Sequence, residues 1–179
     1  MGKNMKKAPV TILVVTVLVI FISCATGCWV RKNWYQSAVD YYTEGIRTNW
    51  ANEDPSPRLK VSDELKTKSP DRQLGYLLKD LDGDGIDELL IGFNDGSTYT
   101  KFTDLIVWHS DYGSYKALSG TNGYYILLCD GNVIRADSWL GSDTKMDYMK
   151  WNPKTNAFTI VDGEGDKYLP LKWELTPFE

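Results

Sequence analysis

Cysteine is scarce in this 179-residue chain, which has three Cys. Cys24 and Cys28 lie in the N-terminal segment, so Cys129 is the only cysteine in the rest of the chain. One cysteine cannot form an internal disulfide, which excludes a disulfide-stapled scaffold. Cys129 follows an apolar run and is predicted to be a small core residue, as free cysteines usually are.

Catalytic motifs are also lacking. The single histidine, His109, falls in a predicted strand, and no serine lies in a Gly-x-Ser-x-Gly elbow. The chain has no Gly-rich phosphate-binding loop and no Cys/His cluster for a metal. A carboxylate pair for glycoside hydrolysis is not excluded, because 24 acidic residues are present and the sequence does not set their spacing in three dimensions. The sequence therefore favours a protein that is not an enzyme.

Basic residues are outnumbered, with 20 Lys and Arg against 24 Asp and Glu and a net charge of −4. Three of the lysines precede residue 8, so the remainder is more acidic still. Because affinity for nucleic acid comes mainly from Lys and Arg on phosphates, a nucleic-acid partner is not expected. The acidic balance favours the binding of cations instead.

Residues 1–28 have the pattern of a membrane-targeting segment. Lys3, Lys6 and Lys7 precede an uncharged apolar run from Val10 to Ile22. A basic start and an apolar run of this length are typical of a signal peptide, and the run is short for a spanning helix.

Small residues surround the two cysteines that end this segment. The stretch resembles a bacterial lipoprotein signal, in which apolar and small residues precede a cysteine that receives lipid. Cys24 follows apolar residues and Ser23 and is followed by small residues, whereas Cys28 is followed by the bulky Trp29. The resemblance implies lipidation at Cys24, with Cys28 as the alternative.

An uncleaved anchor is a second interpretation of the same segment. Val10–Val30 is free of charge and, as a helix, would span a bilayer of about 30 Å. The positive N-terminal tail would stay inside. A plain cleaved signal is a third interpretation. All three predict an extracytoplasmic domain, held at the membrane by lipid or by a helix in the first two.

Residues 29–58 are predicted to form an N-terminal amphipathic helix and a Pro-rich linker. Apolar residues recur every four positions, which predicts a helix from about 31 to 50; they are Val30, Trp34, Ala38, Tyr42, Ile46 and Trp50. Pro55 and Pro57 require the helix to have ended. The apolar stripe is expected to pack on a sheet; the alternative is a partner-binding face.

Residues 59–179 are predicted to form a β-rich domain. Short β-prone runs separated by Asx/Gly turns indicate antiparallel hairpins in sequence order. The fold class is therefore α+β, one domain, mostly an antiparallel β meander with the helix before it. The predicted strands are 74–79, 88–93, 104–109, 115–118, 124–129, 133–139, 145–151, 157–161 and 168–175.

An acidic loop interrupts the first hairpin. Oxygen donors fall at alternate loop positions, so that they converge on one point; the donors are the side chains of Asp80, Asp82, Asp84 and Glu88 and the carbonyl of Ile86. Gly85 takes the sharp turn. The loop resembles those of EF-hands and dockerins, and more closely those of integrin-type propeller repeats, with Asp-x-Asp-x-Asp-Gly-x-x-Asp before an apolar strand. The resemblance implies one structural calcium ion; the alternative is a solvated turn without metal.

Aromatic residues are plentiful, with seven Trp and eleven Tyr. Trp108, Trp139 and Trp151 fall near strand ends, where they would pack in the core or stack on sugars. The function expected is a membrane-anchored calcium-binding domain of a bacterial surface, with a binding or accessory role and a protein or glycan ligand. The alternative is a cell-envelope glycan hydrolase or a carbohydrate-binding module.

Overall fold

The computed structural model describes residues 34–51, 61–67, 69–109, 113–119, 124–138, 146–161 and 167–179. The targeting segment with Cys24 and Cys28 lies outside these residues, as do the Pro-rich linker and Trp139. Within the described ranges, no helix is long and apolar enough to cross a membrane.

Helices are few and strands many in the described chain. The helices are α1 (Gln36–Thr48) and the short α2 (Asp63–Lys66). The strands are β1 (Gln73–Lys79), β2 (Glu88–Asn94), β3 (Lys101–His109), β4 (Gly113–Ser119), β5 (Tyr124–Leu128), β6 (Ile134–Ser138), β7 (Met146–Asn152), β8 (Ala157–Ile160) and β9 (Thr176–Pro177). A single 3₁₀ turn, Asp130–Asn132, precedes β6.

The strands form one sheet in the order β8-β7-β6-β5-β3-β2-β1-β9, with β4 on β3 beside this path. Every pairing among the described strands is antiparallel, which confirms the mostly antiparallel β prediction. The order departs from a simple meander at β3, which pairs with both β4 and β5. It departs again at the end of the chain, where β9 returns to β1.

Helix α1 covers one face of the sheet. Ala38 and Tyr42 are buried against a cluster that includes Leu89, Ile91 and Ile106. The helix ends at Thr48, two residues before the predicted end at 50, because Asn49 and Trp50 take positive φ values of 52° and 59°. The Trp50 N–H still donates to the Gly45 carbonyl at 2.7 Å, which closes the end of the helix. The predicted packing of the helix on a sheet is confirmed for Ala38 and Tyr42.

The opposite face of the sheet carries a second core. Its buried members include Leu90, Phe102, Leu105 and Ile126. Strands β2 and β3 are therefore buried on both faces, which makes them the centre of the fold. Since the acidic loop leads directly into β2, its position is set by the most buried part of the sheet.

Cys129 lies in a smaller cluster with Val133 and Tyr148. Its side chain is 1% exposed, which confirms the prediction that it is a core residue. Burial raises the pKa of its thiol to about 11, so the thiol stays protonated and unreactive at neutral pH.

Candidate metal site

The acidic loop closes the hairpin between β1 and β2. The last strand pair before it is Lys79 with Glu88. Gly83 and Gly85 have φ values of +82° and +84°, a left-handed conformation that only glycine adopts readily. These two glycines let the chain curl back on itself within eight residues, so that alternate side chains face the inside of the loop.

Backbone N–H groups of the loop donate to its own carboxylates. Asp80 accepts from Gly83 at 2.7 Å and from Gly85 at 2.9 Å. Asp82 accepts from the N–H of Asp84 at 2.9 Å, and Asp84 accepts from Ile86 at 2.6 Å. As a result Asp80, Asp82 and Asp84 each present an oxygen within 4.8 Å of the others. Convergence of these three side chains is what the spacing predicted.

Glu88 extends the group toward the core. It is 3% exposed, and its Oε2 accepts a hydrogen bond from the Leu81 N–H at 2.8 Å. Burial, and then the charges of the three aspartates, raise the pKa of Glu88 to about 8 although the Leu81 N–H opposes the shift. Burial also raises the pKa of Asp82, whose Oδ2 has no hydrogen-bond partner in the described chain. The loop thus concentrates negative charge that its own hydrogen bonds do not neutralise.

Two residues near the loop were missed in the sequence. Asn132 Nδ2 donates to the Asp80 and Leu81 carbonyls at 3.1 and 3.2 Å, which ties the loop to the turn before β6. Tyr35 is 3% exposed, and burial followed by the charge of Glu88 raises the pKa of its hydroxyl. Neither residue lies in the motif; the only local signal was the Asp-Gly-Asn turn that contains Asn132.

A cleft of about 200 Å³ opens beside the loop. Its lining includes four loop residues, Asp82, Asp84, Ile86 and Glu88, together with Trp108, His109, Trp151 and Asn156. The Trp108 indole stacks on Trp34 with ring centroids 4.6 Å apart. The structure therefore brings together the acidic loop, the single histidine and two of the three tryptophans singled out from the sequence.

A second cavity, of about 330 Å³, lies at the end of α1 and shares no lining residue with the first. Trp50, Leu65 and Arg72 contribute to its lining. Arg72 is already engaged there, with Glu64 at 3.2 Å and over the Phe93 ring at 4.5 Å. The chemistry of a cation site is confined, among the described residues, to the acidic loop.

No protein-family model, no curated protein and no solved structure matches this chain. The loop and its surroundings are therefore the features that indicate a function.

Proposed function

We propose that this protein is a membrane-anchored, extracytoplasmic domain that binds one structural calcium ion and has a binding or accessory role. The observation that carries the proposal is the convergence of Asp80, Asp82 and Asp84 within 4.8 Å, next to a Glu88 that is 3% exposed. Hard carboxylate and carbonyl oxygens are the ligands that calcium prefers, and six to eight of them are required. The four side chains and the Ile86 carbonyl would supply five or more, and water the rest.

The ion would act by neutralising charge at a corner of the sheet. Two unit charges 4.8 Å apart repel by about 3 kcal/mol at an effective dielectric constant of 20. A divalent cation between the carboxylates would replace this repulsion by attraction. It would hold the acidic loop against the start of β2. We propose a structural role for the ion because the loop is part of the packed fold. Leu81 of the loop packs in the core, and Asn132 donates hydrogen bonds to the loop's backbone.

The location is proposed from residues 1–28. Lipid on Cys24, or on Cys28, or an uncleaved apolar segment would hold the domain outside the cell membrane. Residues 29–58, predicted to comprise the amphipathic helix and the Pro-rich linker, would then follow the anchor. Calcium outside a cell reaches the millimolar range in which weak loops of this type are filled.

Thermal melts with calcium and with a chelator test the metal. We expect calcium to raise the melting temperature of the purified chain and the chelator to reverse the rise, because a ligand that binds only the folded state stabilises it. Magnesium is the control, since it demands a smaller octahedral site. Identical melts in calcium and chelator would contradict the proposal. Intact mass of the membrane-extracted protein reports lipid and cleavage site in a separate measurement.

Glycan binding is a second candidate, favoured by the cleft beside the loop. Trp108 and Trp151 line it together with His109 and Asn156, and indoles stack on the apolar faces of sugars. Among the described residues, the acids that line this cleft are the loop's own candidate calcium ligands, and no separate carboxylate pair for hydrolysis lies there.

Binding to cell-wall polysaccharide tests this candidate. We expect Trp108→Ala to weaken retention on the polysaccharide and Trp50→Ala, remote from the cleft, to leave it unchanged. Equal retention of the two variants would contradict glycan binding in the cleft. Release of reducing ends would support the hydrolase alternative instead.

A further inference from the structure

A buried lysine–aspartate pair lies in the core beneath α1 and includes none of the residues of the acidic loop. Asp104 on β3 is fully buried, and the Lys116 side chain on β4 is 8% exposed. Lys116 Nζ lies 3.1 Å from Asp104 Oδ1. The hydroxyl of Tyr42, itself fully buried, donates to Asp104 Oδ2 at 2.6 Å. An amine, a carboxyl group and a phenol thus meet in the buried interior of the fold.

The sheet register brings the three groups together. Asp104 pairs with Ser119 and Ile106 with Lys116, because a bulge lies between Leu105 and Ile106. Since alternate residues of a strand share a face, Lys116 reaches diagonally across β3 to Asp104. Ile106 belongs to the core under α1, which identifies this face as the one that Tyr42 covers.

Burial changes the chemistry that this pair can perform. Charges removed from water are costly, and transfer of one proton from Nζ to the carboxylate replaces two ions by a neutral amine and a neutral acid. A neutral amine is a nucleophile, and the hydrogen bond from Tyr42 polarises the carboxyl group that it would attack. Groups held about 3–3.5 Å apart react as if at very high concentration.

We propose that Lys116 and Asp104 condense into an amide that covalently joins β3 to β4. Nζ forms a bond to Asp104 Cγ, and one Cγ–O bond breaks. The oxygen leaves as water with two hydrogens that were originally on the lysine ammonium group. Tyr42 relays a proton to the departing oxygen and recovers it from the nitrogen, so it is regenerated. No oxidant, metal or co-reactant is consumed.

Tryptic mapping of the full chain, unfolded in denaturant before digestion, tests this bond. Trypsin cleaves after Lys101, Lys116 and Arg135, and no other Lys or Arg lies between residues 102 and 135. An amide on Lys116 blocks cleavage there. The expected product is a single peptide, 102–135, lighter than its sequence by one water.

Two full-mass peptides, 102–116 and 117–135, would overturn the proposal. A mass loss of one water with normal cleavage after Lys116 would overturn it as well, since it would indicate dehydration at an Asp-Gly step such as Asp130–Gly131. Lys116→Arg is expected to restore cleavage and the full mass. Tyr42→Phe is expected to lower the cross-linked fraction, and an unchanged fraction would overturn the role of the hydroxyl. The wild-type digest alone decides the proposal if a variant does not fold.

Discussion

Replacing Glu88 by Gln should stabilise the fold without calcium, and calcium should remove that advantage. The substitution keeps size and an acceptor for the Leu81 N–H but removes a buried negative charge. Without metal, the pKa of Glu88 is raised from 4.5 to about 8, so the contribution of Glu88 to folding stability is largest below pH 4.5 and is lost as the pH rises to about 8. At about 1.4 kcal/mol per pH unit the loss would be about 5 kcal/mol, and screening by solvent reduces it to about 2–3 kcal/mol.

In chelator near pH 9, Glu88→Gln should therefore be more stable than the wild type by about 2–3 kcal/mol. In calcium this advantage of the variant should largely disappear. The wild type gains about 2.7 kcal/mol when calcium is 100 times its dissociation constant. The variant has lost one ligand charge and should gain much less.

Urea unfolding followed by tryptophan fluorescence measures both differences. Asp87→Asn is the matched control, because it removes the same charge from an exposed neighbour that offers no ligand. It should respond to calcium as the wild type does. The reasoning would be refuted if Glu88→Gln were less stable than the wild type in chelator at high pH, or if calcium stabilised both equally.

Three further perturbations test the fold. Gly75→Ala should lower stability by about 1–3 kcal/mol and release β9, because a Cβ there would lie 2.6 Å from the Thr176 carbonyl oxygen; unchanged hydrogen exchange at the C-terminus would contradict this. Although burial raises the pKa of Asp95, hydrogen bonds, including one from Lys101, lower it to about 2. The contribution of ionised Asp95 to folding stability is therefore present above pH 3.8 and lost as the pH falls through 2. Lys101→Met should move the Asp95 titration, followed by NMR, up toward 3.8, with less than about 1 kcal/mol of stability lost; an unmoved titration would refute the pairing. Cys129 should resist thiol reagents until the chain unfolds, as peptide mapping of the labelled protein would show, and rapid native labelling would contradict its burial.

The acidic loop was the most predictable part of the molecule because all its determinants are local. Its predicted flanking strands, 74–79 and 88–93, agree within one residue with the observed Gln73–Lys79 and Glu88–Asn94. Carboxylate spacing and two glycines suffice to bring the aspartates together. The calcium ion itself stays a prediction.

The order of strands in the sheet was less predictable, because β3 is long enough to pair with two strands on the same edge. Phe102 near its start pairs with Ile126, whereas residues from Asp104 onward pair with β4. The predicted strand over 168–175 was wrong. There the Leu171 N–H donates to the Leu128 carbonyl and the Trp173 N–H to Thr100 Oγ1, so the segment bonds to separate elements instead of one neighbouring strand.

Contacts between distant parts of the chain left no trace in the sequence pattern. Tyr42 and Asp104 are 62 residues apart, and Asn132 and Asp80 are 52 apart. The sequence pattern identifies Tyr42 only as one apolar position on a helical stripe. The hydrogen bond from its hydroxyl to Asp104 depends on folding, which brings the helix and β3 together.

Calorimetric titration of the purified chain with calcium tests the central claim most directly. We predict binding of one ion per chain, with a dissociation constant no weaker than the millimolar range of extracellular calcium modules and strongly weakened in Glu88→Gln. No binding by the wild type at millimolar calcium would contradict the account.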